Sequence, residues 1–405
     1  MLGPCLPILS KLEFIFRNAY FPQIKSWKQL MSQLIPSLTA VAFVTTTLLF
    51  SGCGGTDNSS SNGSSSGEKK RIVFLSNGDD PFWDACRSGM DRAAEELGIK
   101  AVGLTHNMDK GSEFKVEKQI EKLEQYATQS DIAGVAISPV DANNRATAKA
   151  LKTLRDKGVK VICVDSDMDH KKYRDSRFAY LGTNNKVGGE ELGKAAKGLL
   201  PNGGNYATFV GVKTVANATD RIGGFAEGAG EQFTSLDSMA DEGDENVAQE
   251  NVKAILDKHD QVDALVGIWA YNAHAIVRVV EERGIRDDTT IVVFDAASLA
   301  LTDMSKGKVD AMVVQNPYQM GYLSVKLIKA MVEEDGKTIR EIYPSYDPES
   351  KTFSEADGDI YNTELRVVVP DEDSPLKAEM FRPETQFFYF NDFKRWLDKR
   401  QLVSS

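Results

Sequence analysis

The sequence predicts an α/β fold of two doubly wound, mostly parallel sheets. Strands and helices alternate from Arg71 to Val332. The strands are short apolar, β-branched runs that end in a polar residue, the pattern of parallel strands buried on both faces. The alternation runs long enough for two similar lobes rather than one oversized sheet.

Arg71–Ser76 reads as the first strand and Asn77–Asp80 as turn chemistry. Asp80 before Pro81 is an N-cap followed by proline, the start of a helix. Cys86, Met90, Ala93 and Leu97 give that helix one apolar face. Phe82 and Trp83 occupy its first turn, at the carboxyl end of the strand, where open α/β sheets bind ligands. A staple at the helix start is the alternative reading of this pair. Val116, Ile120, Leu123 and Ala127 mark the next helix, and Ile132–Ser138 a strand. Ala146, Ala150, Leu151 and Leu154 mark a helix, followed by strands Lys160–Val164 and Phe178–Leu181 and helix Val187–Leu199. The second series runs strand Tyr206–Val210, helix Asn217–Phe233, helix Val247–Leu256 and strand Ala264–Ile268. It continues with helix Tyr271–Arg283, strand Thr290–Phe294, strand Val309–Gln315 and helix Met320–Val332.

The first 52 of the 405 residues differ from the rest. Lys11, Arg17, Lys25 and Lys28 precede the apolar run Leu34–Phe50, which ends in Ser51-Gly52-Cys53. That is the layout of a secretory signal, and the run is short for a membrane span. An uncleaved hydrophobic anchor is the alternative, and Met31 is a second candidate start. Thr56–Gly67 is a Ser/Gly tether. Its Gly63-Ser64-Ser65-Ser66-Gly67 lacks the strand and helix that a nucleophile elbow needs.

The chain carries a net charge of −11, and −14 without the first 52 residues, which hold four basic and one acidic residue. That sign argues against nucleic acid as a partner. Of four cysteines, Cys86 and Cys163 stand at apolar positions and read as buried free thiols, so no disulfide framework is expected. Asp165-x-Asp167-x-Asp169 begins like a calcium loop, but its sixth and twelfth positions hold His170 and Ser176 instead of Gly and Glu. The acidic run Asp241–Glu245 suits a helix N-terminus. His106, His170, His259 and His274 share no ligand spacing, and no phosphate-cradling loop occurs. No cofactor and no metal are expected.

Several strands end in groups that can bond hydroxyls. Ile132–Ser138 ends at Ser138, Lys160–Val164 at Asp165-Ser166, Thr290–Phe294 at Asp295, and Val309–Gln315 at Gln315. Polar groups at the carboxyl ends of parallel strands converge on one crevice. Trp269, after strand Ala264–Ile268, joins Phe82 and Trp83 as a candidate aromatic face of that crevice.

Strand, then N-G-D-D-P-F-W, then helix resembles the N-terminus of ribose-binding-protein-like periplasmic receptors. These are sugar-binding proteins of ABC transporters, and they share a fold with LacI-type repressors. The motifs recur in order over most of Arg71–Pro370. D-D-P-F-W matches N-N-P-F-F, I-S-P-V-D matches I-N-P-x-D, and V-D-S matches L-D-R. N-A-T-D-R-I-G-G-F matches A-x-R-E-R-x-x-G-F, V-F-D matches G-F-D, and V-V-Q-N-P matches I-x-Q-x-P. The resemblance implies ligand contacts at Asp80, Phe82, Trp83, Ser138, Asp165, Ser166, Thr219, Asp295 and Gln315, with Asn217 and Trp269 beside them. It makes Arg221 a structural arginine and the Thr183–Gly189 run framework near a crossing. Ser166 and Thr219 replace both sugar-clamping arginines of the family, and Asp80 replaces an asparagine, which implies a more acidic pocket and a sugar other than ribose. No helix-turn-helix precedes Arg71, which argues against the repressor branch.

The small residues before Cys53 resemble the lipobox of bacterial lipoproteins, with Phe50 where the family prefers Leu, Val or Ile. The resemblance further implies a two-lobed type I periplasmic binding protein with three crossings, near Gly182, near Gln315 and around Tyr346. Residues 1–52 are then signal peptide and 53–69 a lipid-anchored linker. Residues 70–181 and 316–345 form the N-terminal lobe, 182–315 and 346–372 the C-terminal lobe. Glu333–Thr363 is a long polar insert, and 373–405 an extension whose stretch Phe387–Leu402 reads as an amphipathic helix. Phe393, Trp396 and Leu397 share a face that packs on a lobe or docks on a partner.

Two functions follow. One is a monomeric, extracytoplasmic receptor that binds a sugar or polyol between its lobes and hands it to an ABC-type membrane permease or to a sensor. The other is a secreted carbohydrate-active enzyme with Asp165 and Asp295 as acid and base. An enzyme needs one carboxylate with a raised pKa, and nothing local in the sequence supplies it.

Overall fold

The computed structural model describes residues 70–79, 82–99, 104–109 and 114–405. The signal-like segment, Cys53, the tether and Asp80 lie outside the described residues. The chain opens with β1 (Lys70–Leu75), α1 (Phe82–Glu96), β2 (Leu104–Asp109), α2 (Val116–Ala127) and β3 (Ile132–Ile137). Then come α3 (Arg145–Asp156), β4 (Lys160–Val164) and β5 (Tyr180–Gly182). It moves on through α4 (Asn185–Leu199), β6 (Gly204–Val210), α5 (Ala216–Ala229), β7 (Phe233–Ala240), α6 (Glu245–Lys258) and β8 (Ala264–Gly267). Then follow α7 (Asn272–Arg283), β9 (Thr290–Phe294), α8 (Ser298–Met304) and β10 (Ala311–Val314). It returns with α9 (Pro317–Val332), α10 (Gly336–Ile342), the short hairpin β11 (Tyr346–Asp347) and β12 (Thr352–Phe353), and β13 (Ile360–Asn362). It ends with β14 (Arg366–Val369), β15 (Gln386–Tyr389) and α11 (Phe390–Asp398).

The first sheet has the order β13-β5-β4-β3-β1-β2 and is parallel throughout. The second has the order β15-β14-β10-β9-β8-β6-β7, parallel except where β14 runs against β10. Both are wound on two faces. Ile72 and Phe74 point into one core cluster and Val73 and Leu75 into another. In β9, Ile291 and Val293 point one way and Val292 and Phe294 the other. This period-two division of all-apolar strands is what burial on both faces requires.

The chain passes between the sheets after Gly182, after Val314 and between Asn362 and Arg366. The last passage corrects the expected one around Tyr346. Residues 346–362 stay with the first sheet because β13 pairs with β5, and because Asp359 meets the buried guanidinium of Arg177. Arg177 also holds Asp167, and Arg174 bonds Asp359 from the surface side. Burial alone would raise the Asp167 and Asp359 carboxyls, but hydrogen bonds and charge from these arginines outweigh it and hold both below the usual carboxylate range.

Two further expectations shift. The helix expected over Asn217–Phe233 stops at Ala229, because Gly230 (φ 83°) caps it, and Phe233 begins β7. Phe387–Tyr389 is strand rather than helix, since β15 extends the second sheet beside β14, and the helix starts at Phe390. Phe393 and Leu397 of α11 are buried in the core of the second sheet, so this face packs on its own lobe.

Helix α9 follows the second passage. Its first turn is set by Asn316, whose side chain accepts from Gln319 N, and by Pro317 at the first position. It packs on α1 through Gly89 and Gly321. A Cβ at Gly321 would collide with the Cys86 carbonyl, and one at Gly89 with the Tyr318 carbonyl. Close approach of these helices fixes the position of α1, whose first turn carries Phe82 and Trp83.

Candidate functional site

The carboxyl ends of the two sheets face a small cavity of about 50 Å³. Asn77, Phe82, Trp83, Phe114 and Asp165 line it from the first sheet's side, and Asn217, Arg221, Trp269, Ala270 and Asp295 from the second's. Gln315, at the second passage, completes the lining.

Asp165 follows β4 and Asp295 follows β9, and both take left-handed backbone, with φ of 66° and 67°. Aspartate is among the few residues besides glycine that visit this region readily. The Asp165 side chain is buried and accepts at Oδ2 from the Ser138 hydroxyl (3.0 Å). Tyr180 OH donates to the Asp165 carbonyl (2.9 Å), which fixes its backbone. Asp295 Oδ1 accepts from Gln315 Nε2 (2.9 Å). Gln315 is buried, and its Oε1 has no hydrogen-bond partner. A buried acceptor left so is costly unless a ligand supplies a donor.

Arg221 lies in the field of both carboxylates, with Nη1 3.6 Å from Asp295 Oδ2. It donates to Asn185 Oδ1 (2.9 Å) and the Ile268 carbonyl (3.1 Å), and its guanidinium lies 3.9 Å from the centre of the Phe294 ring. Burial pushes its pKa down, while Asp295 and then Asp165 push it back up.

The aromatic walls come from both sides. Phe82 and Trp83 meet edge to face at 4.9 Å, and Trp83 also touches Phe74 of the core. Trp83 therefore serves the helix packing and the cavity wall at once. Trp269 donates from Nε1 to Asn217 Oδ1 (3.2 Å) and from its backbone N–H to Asn272 Oδ1 (3.0 Å). Phe114, from the first sheet's side, stacks on Trp269 at 5.5 Å and 24°. Its backbone is left-handed (φ 58°), and its ring lies where a side chain on Gly78 would go.

The cavity thus gathers seven of the residues singled out in the sequence: Phe82, Trp83, Asp165, Asn217, Trp269, Asp295 and Gln315. Three others turn away from it. Ser138 points at Asp165 and is itself braced by Gln119, which donates to the Ser138 carbonyl at 2.8 Å. Ser166 lies in an adjoining acidic depression that also touches Asp165 and Asn217. Thr219 is exposed, with its hydroxyl on the carbonyls of Lys213 and Val215, the local back-bonding that threonine favours in a first helical turn. Sequence reasoning missed Asn77, Phe114 and Ala270 and placed Arg221 in the framework. Asn77 ends a strand as Asp165 does, so the same rule would have found it. Phe114 is a lone aromatic in a polar stretch. The cavity's charge is two carboxylates with one guanidinium, because Arg221, expected as a structural arginine, also lines it.

Fold and cavity together define a two-lobed protein with a cavity between the carboxyl ends of two sheets. The chain belongs to the periplasmic binding protein domain family, whose model matches residues 72–338. It is 22% identical over 253 residues to the ribose import binding protein RbsB of Bacillus subtilis, covering 62% of this chain and 78% of the relative. It is 24% identical over 275 residues to the D-allose-binding periplasmic protein of Escherichia coli, covering 66% and 85%. Among solved structures it resembles GanP, a glucose-galactose binding protein from Geobacillus stearothermophilus. The TM-score is 0.61 at 25% identity, covering 76% of this chain and 100% of that one.

Proposed function

We propose that this protein is a non-enzymatic, extracytoplasmic receptor that binds one sugar or polyol molecule between its lobes and delivers it to an ABC-type membrane permease. It is held on a membrane by lipid at Cys53 and acts as a single chain. The observation that carries this reading is the composition of the cavity. Acceptors arrive from both sheets, and aromatic faces stand on both sides of the narrow space between them. Neither sheet alone satisfies a ring of hydroxyls, so binding couples to closure of the lobes about the three passages. The names of the relatives support a sugar as the ligand class. The pair Asp165 and Asp295 shares Arg221, which balances charge rather than readying a carboxylic acid for catalysis.

A thermal-shift screen of pentoses, hexoses, deoxy sugars and polyols tests the reading, because a ligand that binds only the folded state raises its melting temperature. Calorimetry on each hit should give one site per chain and no turnover of the sugar. A screen in which amino acids or nucleosides stabilise the protein and no sugar does would refute the ligand class.

A further inference from the structure

We propose that the chain from Phe390 to Ser405 is part of the ligand site, with Arg366, Trp396 and Ser405 as positioning residues for Gln315 and Asp295. The proposal rests on the reading of the cavity as a sugar site and names what holds its second half in place. The family match ends at residue 338, well before this segment.

Asp295 and Gln315 bond to each other through their side chains (2.9 Å). Their backbones are held from behind by the last part of the chain. Ala296 N donates to Ser405 O (2.7 Å), and Ser405 N donates back to Ala296 O (3.1 Å). The Ser405 hydroxyl donates to the Gln315 carbonyl (3.1 Å). That same carbonyl accepts from Arg366 Nη1 (3.0 Å). One buried serine thus grips Gln315 and Ala296, the residue next to Asp295. The grip is placed where it is needed. Asp295 holds a left-handed backbone, which persists only when its surroundings determine it. Gln315 stands where the chain leaves the second sheet for the first, so its carbonyl is anchored at a passage that hinge motion must bend.

The grip depends on Trp396. Arg366 is fully buried, yet its Nε and Nη2 have no hydrogen-bond partner. Glu364 is its nearest carboxylate, at 3.8 Å. What covers its guanidinium is the Trp396 ring, 4.1 Å away, with Arg400 at 4.0 Å from the same ring and Phe393 stacked beside it. A cation confined under an aromatic face is held in one plane, which aims Nη1 at the Gln315 carbonyl. A segment that merely closed a sheet edge would not need a buried arginine with so few partners.

The test uses the full chain and D-ribose, D-allose, D-glucose and D-galactose as probes, with dissociation constants measured at least 15 °C below each variant's melting point. Trp396→Ala is expected to weaken binding about tenfold, Trp396→Phe to restore it within twofold, and Ser405→Ala to weaken it about threefold. In a Gln315→Ala background the Trp396→Ala effect should shrink below threefold. Should Trp396→Ala fail to fold, Ser405→Ala carries the test. Unchanged affinity in well-folded Trp396→Ala or Ser405→Ala, with only the melting point lowered, overturns the proposal. If none of the four sugars binds the parent, the sugar reading is at fault. Amide exchange of the free protein then decides the positioning claim. Faster exchange at Ala296 when Ser405 is deleted, with the rest of the second sheet unchanged, supports it, and unchanged exchange there overturns it.

Discussion

Replacing Asp165 by alanine removes the one carboxylate that β4 presents to the cavity. Its side chain is 4% exposed and oriented by the Ser138 hydroxyl at 3.0 Å, so its direction is set before any ligand arrives. Hydrogen bonds to charged groups are worth about 1.5–3 kcal/mol, and about 1.4 kcal/mol is tenfold in affinity, so Asp165→Ala should weaken binding by about 10- to 150-fold. Ser138→Ala keeps the carboxylate but frees its rotation. Loss of one neutral hydrogen bond, about 0.5–1.5 kcal/mol, should cost only about 2- to 12-fold. The assay is calorimetric titration with the best sugar from the thermal-shift screen, with circular dichroism to show that each variant is folded. The order of the two effects matters as much as their size. If Asp165→Ala binds as tightly as the parent, or if Ser138→Ala is the more damaging, the cavity does not present Asp165 to the ligand and the site lies elsewhere.

Phe114→Ala removes the ring stacked on Trp269 from the first sheet's side, worth about 0.5–1.5 kcal/mol beyond burial, so the ligand should leave about 2- to 12-fold faster and the ligand-induced tryptophan fluorescence change should fall; an unchanged release rate in stopped-flow means that this stack does not hold the two sides together. Asp359→Asn breaks a buried pair with Arg177, for which about 3 kcal/mol is expected in urea unfolding at pH 7. Because the folded carboxyls of Asp167 and Asp359 sit below their unfolded values of about 3.9, this stability is present above about pH 4 and is lost as pH falls through the lower folded values. The gap between parent and variant should therefore narrow at pH 3, and an equal gap at both pH values contradicts the assignment. Gly321→Ala drives a methyl into the Cys86 carbonyl and should cost about 1–3 kcal/mol or more; a neutral outcome means that α1 and α9 can part freely. For the anchor, intact mass of membrane-extracted protein should show an acylated Cys53 that Cys53→Ser abolishes; a mature chain lacking Cys53, or carrying it unmodified, sinks the lipid reading.

The α/β class and the run of strands and helices were legible because buried parallel strands are apolar along their whole length, as in Ile291–Phe294. Most of the strands that escaped notice are edges or short hairpin strands; Arg366–Val369, buried between β10 and β15, is the exception. Leu104–Asp109 and Phe233–Ala240 each close one side of a sheet, and their sequences LTHNMD and FTSLDSMA carry the polar residues that an exposed edge tolerates. The third passage was placed too early for a different reason. Its position depends on β13 reaching β5 and on Arg177 meeting Asp359, a contact 182 residues apart with no local trace in the sequence. In the cavity, backbone position was easier to read than side-chain direction. Ser138, Ser166 and Thr219 stand at the expected places along the chain, yet each hydroxyl is taken up by the protein. Ser166 and Thr219 find partners within their own turn and Ser138 finds the neighbouring Asp165 carboxylate, whereas Asp165, Asp295 and Gln315 line the cavity.

The paired geometry of Asp165 and Asp295 bears on why carboxylates stand there at all. Each ends a central strand, each has φ near +66°, and each turns its chain out of the sheet toward the opposite lobe. Glycine would take that conformation at the least cost, so the turn alone does not call for aspartate. The two sheets nevertheless both place a buried carboxylate at this strained position, and Arg221 offsets the charge that results. Desolvation and like charge across the cleft count against the arrangement, set against the hydrogen bonds from Ser138 and Gln315 and the charge of Arg221. What a carboxylate offers that glycine does not is a pair of strong acceptors aimed into the space between the lobes. We propose that the arrangement serves the ligand, with donors reaching both aspartates when the two lobes come together around it.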